Sequence, residues 1–215
     1  TGIDIGTHQV KVVVSERLHD KDKEFPKIIA TGYSESKGLR HGYIINTGDV
    51  TEGIKEALRQ AEKGAKMKIK NAFISVGGVG LEAVTDTGSS VVSRGDGEIT
   101  ELDIEKVQEA ARLSLPQTTL INRKILHAIP LQYKIDNKDI LGTSPLGMKG
   151  LKLDCRMLFI TCLEQHLNDL VSAVEAAGVE VIDAMAAPIA GSLVSLTKAQ
   201  KMAGCVLANI GAETV

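Results

Sequence analysis

An α/β domain interrupted by a separately built α+β block is the fold this sequence predicts. Three observations carry it. The elements read β-β-β-α-β up to about residue 79 and α-β-α-β from about residue 160. Between these stretches the texture changes to brief strands, polar loops and one helix. The two ends of the chain also share a pattern, an apolar strand that breaks into a Gly-containing turn: Gly2-Ile3-Asp4-Ile5-Gly6-Thr7 at one end and Val206-Leu207-Ala208-Asn209-Ile210-Gly211-Ala212-Glu213-Thr214 at the other.

In chain order, the first turn runs through Lys11 into the β-branched strand Val10 to Val14. A charged turn, Asp20 to Glu24, leads to a third strand at Lys27-Ile28-Ile29-Ala30, the signature of antiparallel hairpins. Gly38, Gly42 and Gly48 punctuate a loop carrying Tyr43-Ile44-Ile45. Val50, Ile54, Leu58 and Ala61 then form one apolar helical stripe, opposite Glu52, Lys55, Glu56, Arg59 and Glu62. Gly64 is the expected stop of that helix. Asn71 to Val76 is a strand halted by Gly77-Gly78.

Inside the block, Thr85 to Ser90 reads as polar and turn-rich, and Val91-Val92 as a brief strand. Thr100-Glu101-Leu102-Asp103 has the form of a capping box, opening a helix with Ile104, Val107, Ala110 and Ala111 inward. Lys124 to Ile129 is a strand leading to Pro130 and Tyr133-Lys134-Ile135; Ser144 to Gly150 is a loop; Leu151 to Cys162 is one long strand. After it, Leu167, Leu170, Val171 and Val174 stripe a helix closed by Gly178, and Val179 to Ile182 is a strand. Pro188 starts a helix at its favoured first turn, with Ile189, Leu193 and Leu196 expected inward, and Gly204 precedes the last strand.

Composition narrows the function classes. A chain of 215 residues with 43% hydrophobic content has enough apolar material for a core. The net charge of −2 gives no reason to expect nucleic acid, and the run Lys63, Lys66, Lys68, Lys70 reads as a solvated face. No apolar run approaches the ~18 residues that span a bilayer. Cys155, Cys162 and Cys205 lack CxxC spacing and are expected to be free core thiols in a reducing compartment. The chain opens at Thr1 almost inside a strand and ends just past a turn, so it is expected to be part of a larger protein. His127 and Tyr133 read as partly buried structural groups, and His8 and His41 as turn residues. The Arg94-Gly95-Asp96 triplet has no extracellular setting around it and is read as chance.

The end turns carry the chemistry. Gly6 lets backbone approach a phosphate closely, Thr7 offers an N–H and a hydroxyl, and Lys11 adds positive charge on the return strand. Asp4 is a candidate Mg²⁺ ligand through water, which suits an ion that dehydrates reluctantly. Alone, Asp-Ile-Gly-Thr also reads as an ordinary hairpin with Asp and Gly in turn positions. The second turn repeats the pattern with Asn209, Gly211, Ala212, Glu213 and Thr214, and the small-residue segment Ala186 to Leu193 lies between the two.

These three segments, in this order, resemble the phosphate-1, connect-1 and phosphate-2 elements of the actin/heat-shock ATPase/sugar-kinase superfamily. Within it the chain resembles the bacterial cell-division FtsA family. Gly38-Leu39-Arg40-His41-Gly42-Tyr43-Ile44-Ile45 followed by the Val50 helix, the HxxPxxY stretch His127 to Tyr133, and Ser144-Pro145-Leu146-Gly147-Met148-Lys149-Gly150-Leu151-Lys152-Leu153 carry that likeness. Ile160-Thr161 before a helix and Leu196-Thr197 before the second turn also fit, so the likeness covers essentially the whole chain.

The resemblance implies an actin-like (ribonuclease H-like) domain 1A at residues 1–79 and 160–203. It implies a strand-helix-strand-strand 1C-type block at 80–159 and the first hairpin of domain 2A at 204–215, cut off before the second half. It further implies ATP and Mg²⁺ as ligands of Asp4, Gly6, Thr7, Lys11, Asn209, Gly211, Ala212, Glu213 and Thr214. A cytoplasmic protein peripheral on the inner face of the cell membrane is implied as well. Such a protein self-associates into protofilaments, meets later division proteins through the 1C-type block, and binds FtsZ filaments, which it tethers through a C-terminal helix.

Departures from the family pattern weaken the enzymatic side. Asn209 stands where the superfamily usually has Asp, Ala212-Glu213 where FtsA usually has Gly-Gly, and Ala187 where many relatives carry Glu. An amide brings no negative charge to a metal-bound water. A Glu213 carboxylate facing phosphate at ~4 Å would be repelled by ~4 kcal/mol at an effective dielectric near 20, unless it points away or nucleotide preference is altered. The expectation is a nucleotide-binding scaffold with very slow or absent turnover. A type IV pilus adaptor of the PilM kind and, further off, a small-molecule kinase are the alternatives on the same fold.

Overall fold

The computed structural model describes residues 1–16, 26–140, 142 and 144–214; the charged turn expected at Asp20 to Glu24 lies outside them. The chain divides into two compact units. One is Thr1–Leu81 with Leu163–Val215, the other Glu82–Cys162.

The first unit begins with β1 (Gly2–Ile5), β2 (Gln9–Glu16) and β3 (Lys27–Glu35), then a small hairpin of β4 (Leu39–Arg40) and β5 (Tyr43–Ile44), α1 (Thr47–Ala65) and β6 (Asn71–Val76). The second unit supplies β7 (Glu82–Val91), α2 (Glu101–Ser114), a 3₁₀ turn at Gln117–Leu120, β8 (Arg123–Ile135), β9 (Lys138–Asp139) and β10 (Lys152–Leu163), whose last residue belongs to the first unit. The first unit resumes with α3 (Glu164–Ala176), β11 (Glu180–Ala186), α4 (Ala187–Ser195) and α5 (Lys198–Ala203).

Its sheet runs β11-β6-β1-β2-β3. β1, β2 and β3 are antiparallel neighbours, whereas β6 is parallel to β1 and β11 to β6. Alternation decides which face is covered: Ile3, Ile5, Val10, Val12, Val14, Ala72, Ile74 and Val76 are all buried. α1 lays Val50, Ile54, Ala57, Leu58 and Ala61 on that side. It approaches β3 so closely that a Cβ on Gly32 would stand 1.8 Å from the Ala57 carbonyl oxygen. Asn46 caps α1 by accepting from the Gly48 and Asp49 amides at 3.0 and 3.3 Å.

Several expectations are corrected. α1 does not stop at Gly64; it runs to Ala65, and Lys66 takes the left-handed cap at φ 55°. Gly64 is instead a packing residue, since a Cβ there would lie 3.1 Å from Ala30 Cβ. The strand expected after Gly204 is not formed, because a strand needs a ladder partner and none of the described residues pairs with 204–210. Ile189, Leu193 and Leu196 are not buried: Ile189 and Leu196 are half-buried and Leu193 is exposed. Cys155 and Cys162 are buried, with the Cys155 thiol pushed up to about 11 by burial, but Cys205 is exposed in the unpaired segment.

In the second unit the sheet order is β7-β10-β8-β9, with α2 packed on β7. Thr85 to Ser90, expected as turn, is strand: β7 pairs with β10 from Val91↔Lys152 to Glu82↔Thr161. Its Ser and Thr side chains fit a pleated surface without giving an apolar alternation. Gly88 is the contact point for α2; a Cβ there would meet the Val107 carbonyl oxygen at 2.2 Å. The core gathers Ile99, Val107, Ala111, Tyr133, Leu153, Met157 and Phe159. Asp103, fully buried, completes the capping box and accepts from the amides and hydroxyls of Ser93 and Thr100 at 2.6–2.9 Å. Those bonds, the hydroxyls of Ser93 and Thr100 foremost, hold its carboxyl well below the usual range.

Candidate functional site

Both end turns belong to the first unit and line one cleft of about 220 Å³. Asp4, Gly6, Thr7 and Lys11 come from the β1–β2 hairpin; Asn209, Gly211, Ala212 and Thr214 come from the other end of the chain. Each turn is closed by its own backbone: Gly6 N–H donates to Gln9 O at 3.2 Å, and Gly211 N–H to Thr214 O at 2.8 Å. The floor is made by Gly77, Gly78, His166, Leu170 and Ala187, where β6, α3 and α4 meet.

The charges are few. Asp4 Oδ2 lies 4.0 Å from Lys11 Nζ, with both side chains about half exposed, and Asp4 Oδ1 accepts a short hydrogen bond from the Ser75 hydroxyl. A cleft lined by one carboxylate and one ammonium has little net field of its own, so an anion would rely on backbone amides. Its volume is below the usual range for a whole ligand and suits a phosphate tail.

Glu213, expected among the binding residues, is not in the lining. Its carboxylate accepts from the His41 N–H at 2.5 Å and lies 3.9 Å from His41 Nδ1. The next amide, Gly42 N–H, donates to Thr7 Oγ1 at 3.2 Å.

His166, Ser75 and the Gly77-Gly78 turn are functional candidates that sequence reasoning missed. The His166 ring is 4% exposed; its Nε2 lies 3.2 Å from the Gly77 carbonyl, and its Nδ1 is buried without a partner among the described residues. Burial holds the imidazole below its ordinary value, so it is neutral and Nε2–H is the donor. Tyr43 meets it edge-on at 4.9 Å between ring centroids. A His in the first turn of a helix has no local signature that marks it as the floor of a cleft.

For Mg²⁺ the donor set fits a lightly held ion. No group of three or more His, Cys, Asp or Glu converges among the described residues, leaving Asp4 as the one carboxylate in the cleft lining. One carboxylate completed by water and substrate phosphate is how Mg²⁺ is commonly held, so Asp4 would hold it and Ser75 would orient Asp4.

The family model of the SHS2 domain inserted in FtsA matches residues 80–161, which is the second unit to within two residues of each boundary. Over its whole length the chain is similar to cell division protein FtsA. Identity is 32% with the Bacillus subtilis protein (97% of this chain, 46% of that one) and 29% with the Pseudomonas aeruginosa protein (99% and 49%). With the Escherichia coli K12 protein it is 28% (100% and 49%).

This chain is similar to FtsA.

It spans about half the length of the FtsA proteins it matches, and it resembles their N-terminal part. Among solved structures, the PilM-PilN type IV pilus biogenesis complex superposes with a TM-score of 0.59 at 15% identity, covering 89% of this chain and 48% of that one. That likeness fixes the fold class: an actin-like α/β domain with an inserted α+β block. Among the described residues no helix is long and apolar enough to cross a membrane.

Proposed function

We propose that this chain is the nucleotide-binding part of an FtsA-like division scaffold. ATP with Mg²⁺ binds by its phosphates in the cleft; the protein self-associates into protofilaments and tethers FtsZ filaments to the inner face of the cell membrane. One observation carries the reading: two Gly turns from opposite ends of the chain converge on a single small cleft that holds Lys11, Asp4 and Thr7. The FtsA-type inserted domain favours division over pilus assembly, since the pilus likeness rests on fold alone.

Within this reading Lys11 attracts phosphate, the turns supply amides, and Asp4, held by Ser75, carries the metal's water shell. Bound Mg²⁺ would neutralise phosphate charge. Asn209 supplies a neutral amide where a carboxylate would orient water, so turnover is very slow or absent. Calorimetry on the full-length protein, with ATP and ADP and with and without Mg²⁺, is the test. Lys11→Ala should weaken nucleotide roughly tenfold, the order expected for one charge-assisted contact. Absence of binding at millimolar nucleotide overturns the reading, and brisk hydrolysis in a single-turnover assay overturns its last part.

A further inference from the structure

Two adjacent backbone amides reach to opposite sides of the cleft. His41 N–H donates to the Glu213 carboxylate of the second turn, and Gly42 N–H donates to the Thr7 hydroxyl of the first. Successive amides face their two acceptors because both residues are left-handed, at φ 50° for His41 and 83° for Gly42. The pair forms the tip of the β4–β5 hairpin, whose base is closed by Ile45 N–H and Asn46 N–H donating to Gly38 O at 2.8 and 3.1 Å. Behind it stands the Gly77-Gly78 turn: a Cβ on Gly42 would meet Gly78 Cα at 3.1 Å. The tip is thus braced on one side and bonded on the other. Among the described residues, 204–210 pair in no ladder, and the Glu213 bond to His41 is a tie from the second turn to the rest of the unit.

We propose that His41 and Gly42 form a strap joining the two phosphate turns, with Glu213 as its pin, so that Glu213 is a positioning residue that prolongs nucleotide residence rather than a charge that repels phosphate. The proposal rests on the nucleotide reading above. It assigns a role to one of the residues that depart from the pattern the resemblance implies, and it predicts a sign. A carboxylate turned away onto an amide costs the phosphate little, and losing it frees the turn.

The test is made on the full-length protein with a fluorescent ATP analogue, measuring release by stopped flow. Glu213→Ala should speed release roughly tenfold, the size of one hydrogen bond to a charged group. Glu213→Gln, whose amide oxygen still accepts from His41 N–H, should stay within about twofold of the parent. Hydrogen exchange of the His41 amide in nucleotide-free protein gives a second readout: protected in the parent and in Glu213→Gln, faster in Glu213→Ala. Slower or unchanged release in Glu213→Ala overturns the proposal, and so does a His41 amide indifferent to the substitution. A parent protein that binds no nucleotide overturns the phosphate reading instead, and the amide exchange then decides the strap on its own.

Discussion

His166 shows how a single side chain ties the cleft to stability. Its ring is neutral in the folded protein because burial disfavours the cation, and its pKa lies below the ordinary 6.5. The unfolded chain therefore takes up the proton first as pH falls. The stabilisation is full above about pH 6.5 and is lost progressively below it. Thermal melts from pH 7.5 to 5 should show a falling midpoint that flattens in His166→Gln; an unchanged slope would count against this assignment. Residues of the two turns were legible in the sequence because Gly, Asp and Thr announce turn chemistry locally. His166 and Ser75 were not, because a helix and a strand of ordinary composition place them only once the sheet is assembled.

Single glycines set how closely helix meets sheet. Gly32 in β3 sits under α1 and Gly88 in β7 sits under α2, each where a Cβ would overlap backbone. Gly32→Ala should destabilise the first unit by about 3 kcal/mol, through overpacking that rigid backbone cannot relieve. Urea unfolding should show it as a lowered midpoint. Gly2→Ala, with nothing within 4 Å of the added carbon, is the control and should stay close to the parent. Elements with a strong period, such as α1 and β2, were readable from sequence. β7 was not, since its register is set by β10 rather than by its own polar residues. The strand expected at Val206 has no ladder partner among the described residues, and local β propensity alone forms no ladder.

On the scale of the whole molecule, the inserted block has its own core and its own sheet. Its two ends are neighbours, because Glu82 pairs with Thr161. Residues 82–162 expressed alone should fold cooperatively, with a sigmoidal melt and dispersed amide resonances; a non-cooperative melt would show that the block needs the first unit. The two-unit division was visible in the sequence as a change of texture near residue 79. The units divide at Leu81/Glu82 and Cys162/Leu163, a few residues past the expected edges.

The strand order β11-β6-β1-β2-β3 has a consequence in time. About a hundred residues separate the end of β6 at Val76 from the start of β11 at Glu180. At ribosomal rates of roughly 5–20 residues per second, β6 waits on the order of 5–20 s for its outer neighbour. The inserted block emerges within that interval and can complete its short-range pairings first. The nascent sheet meanwhile presents an open parallel edge, so synthesis rather than thermodynamics is where this chain is most exposed to wrong partners.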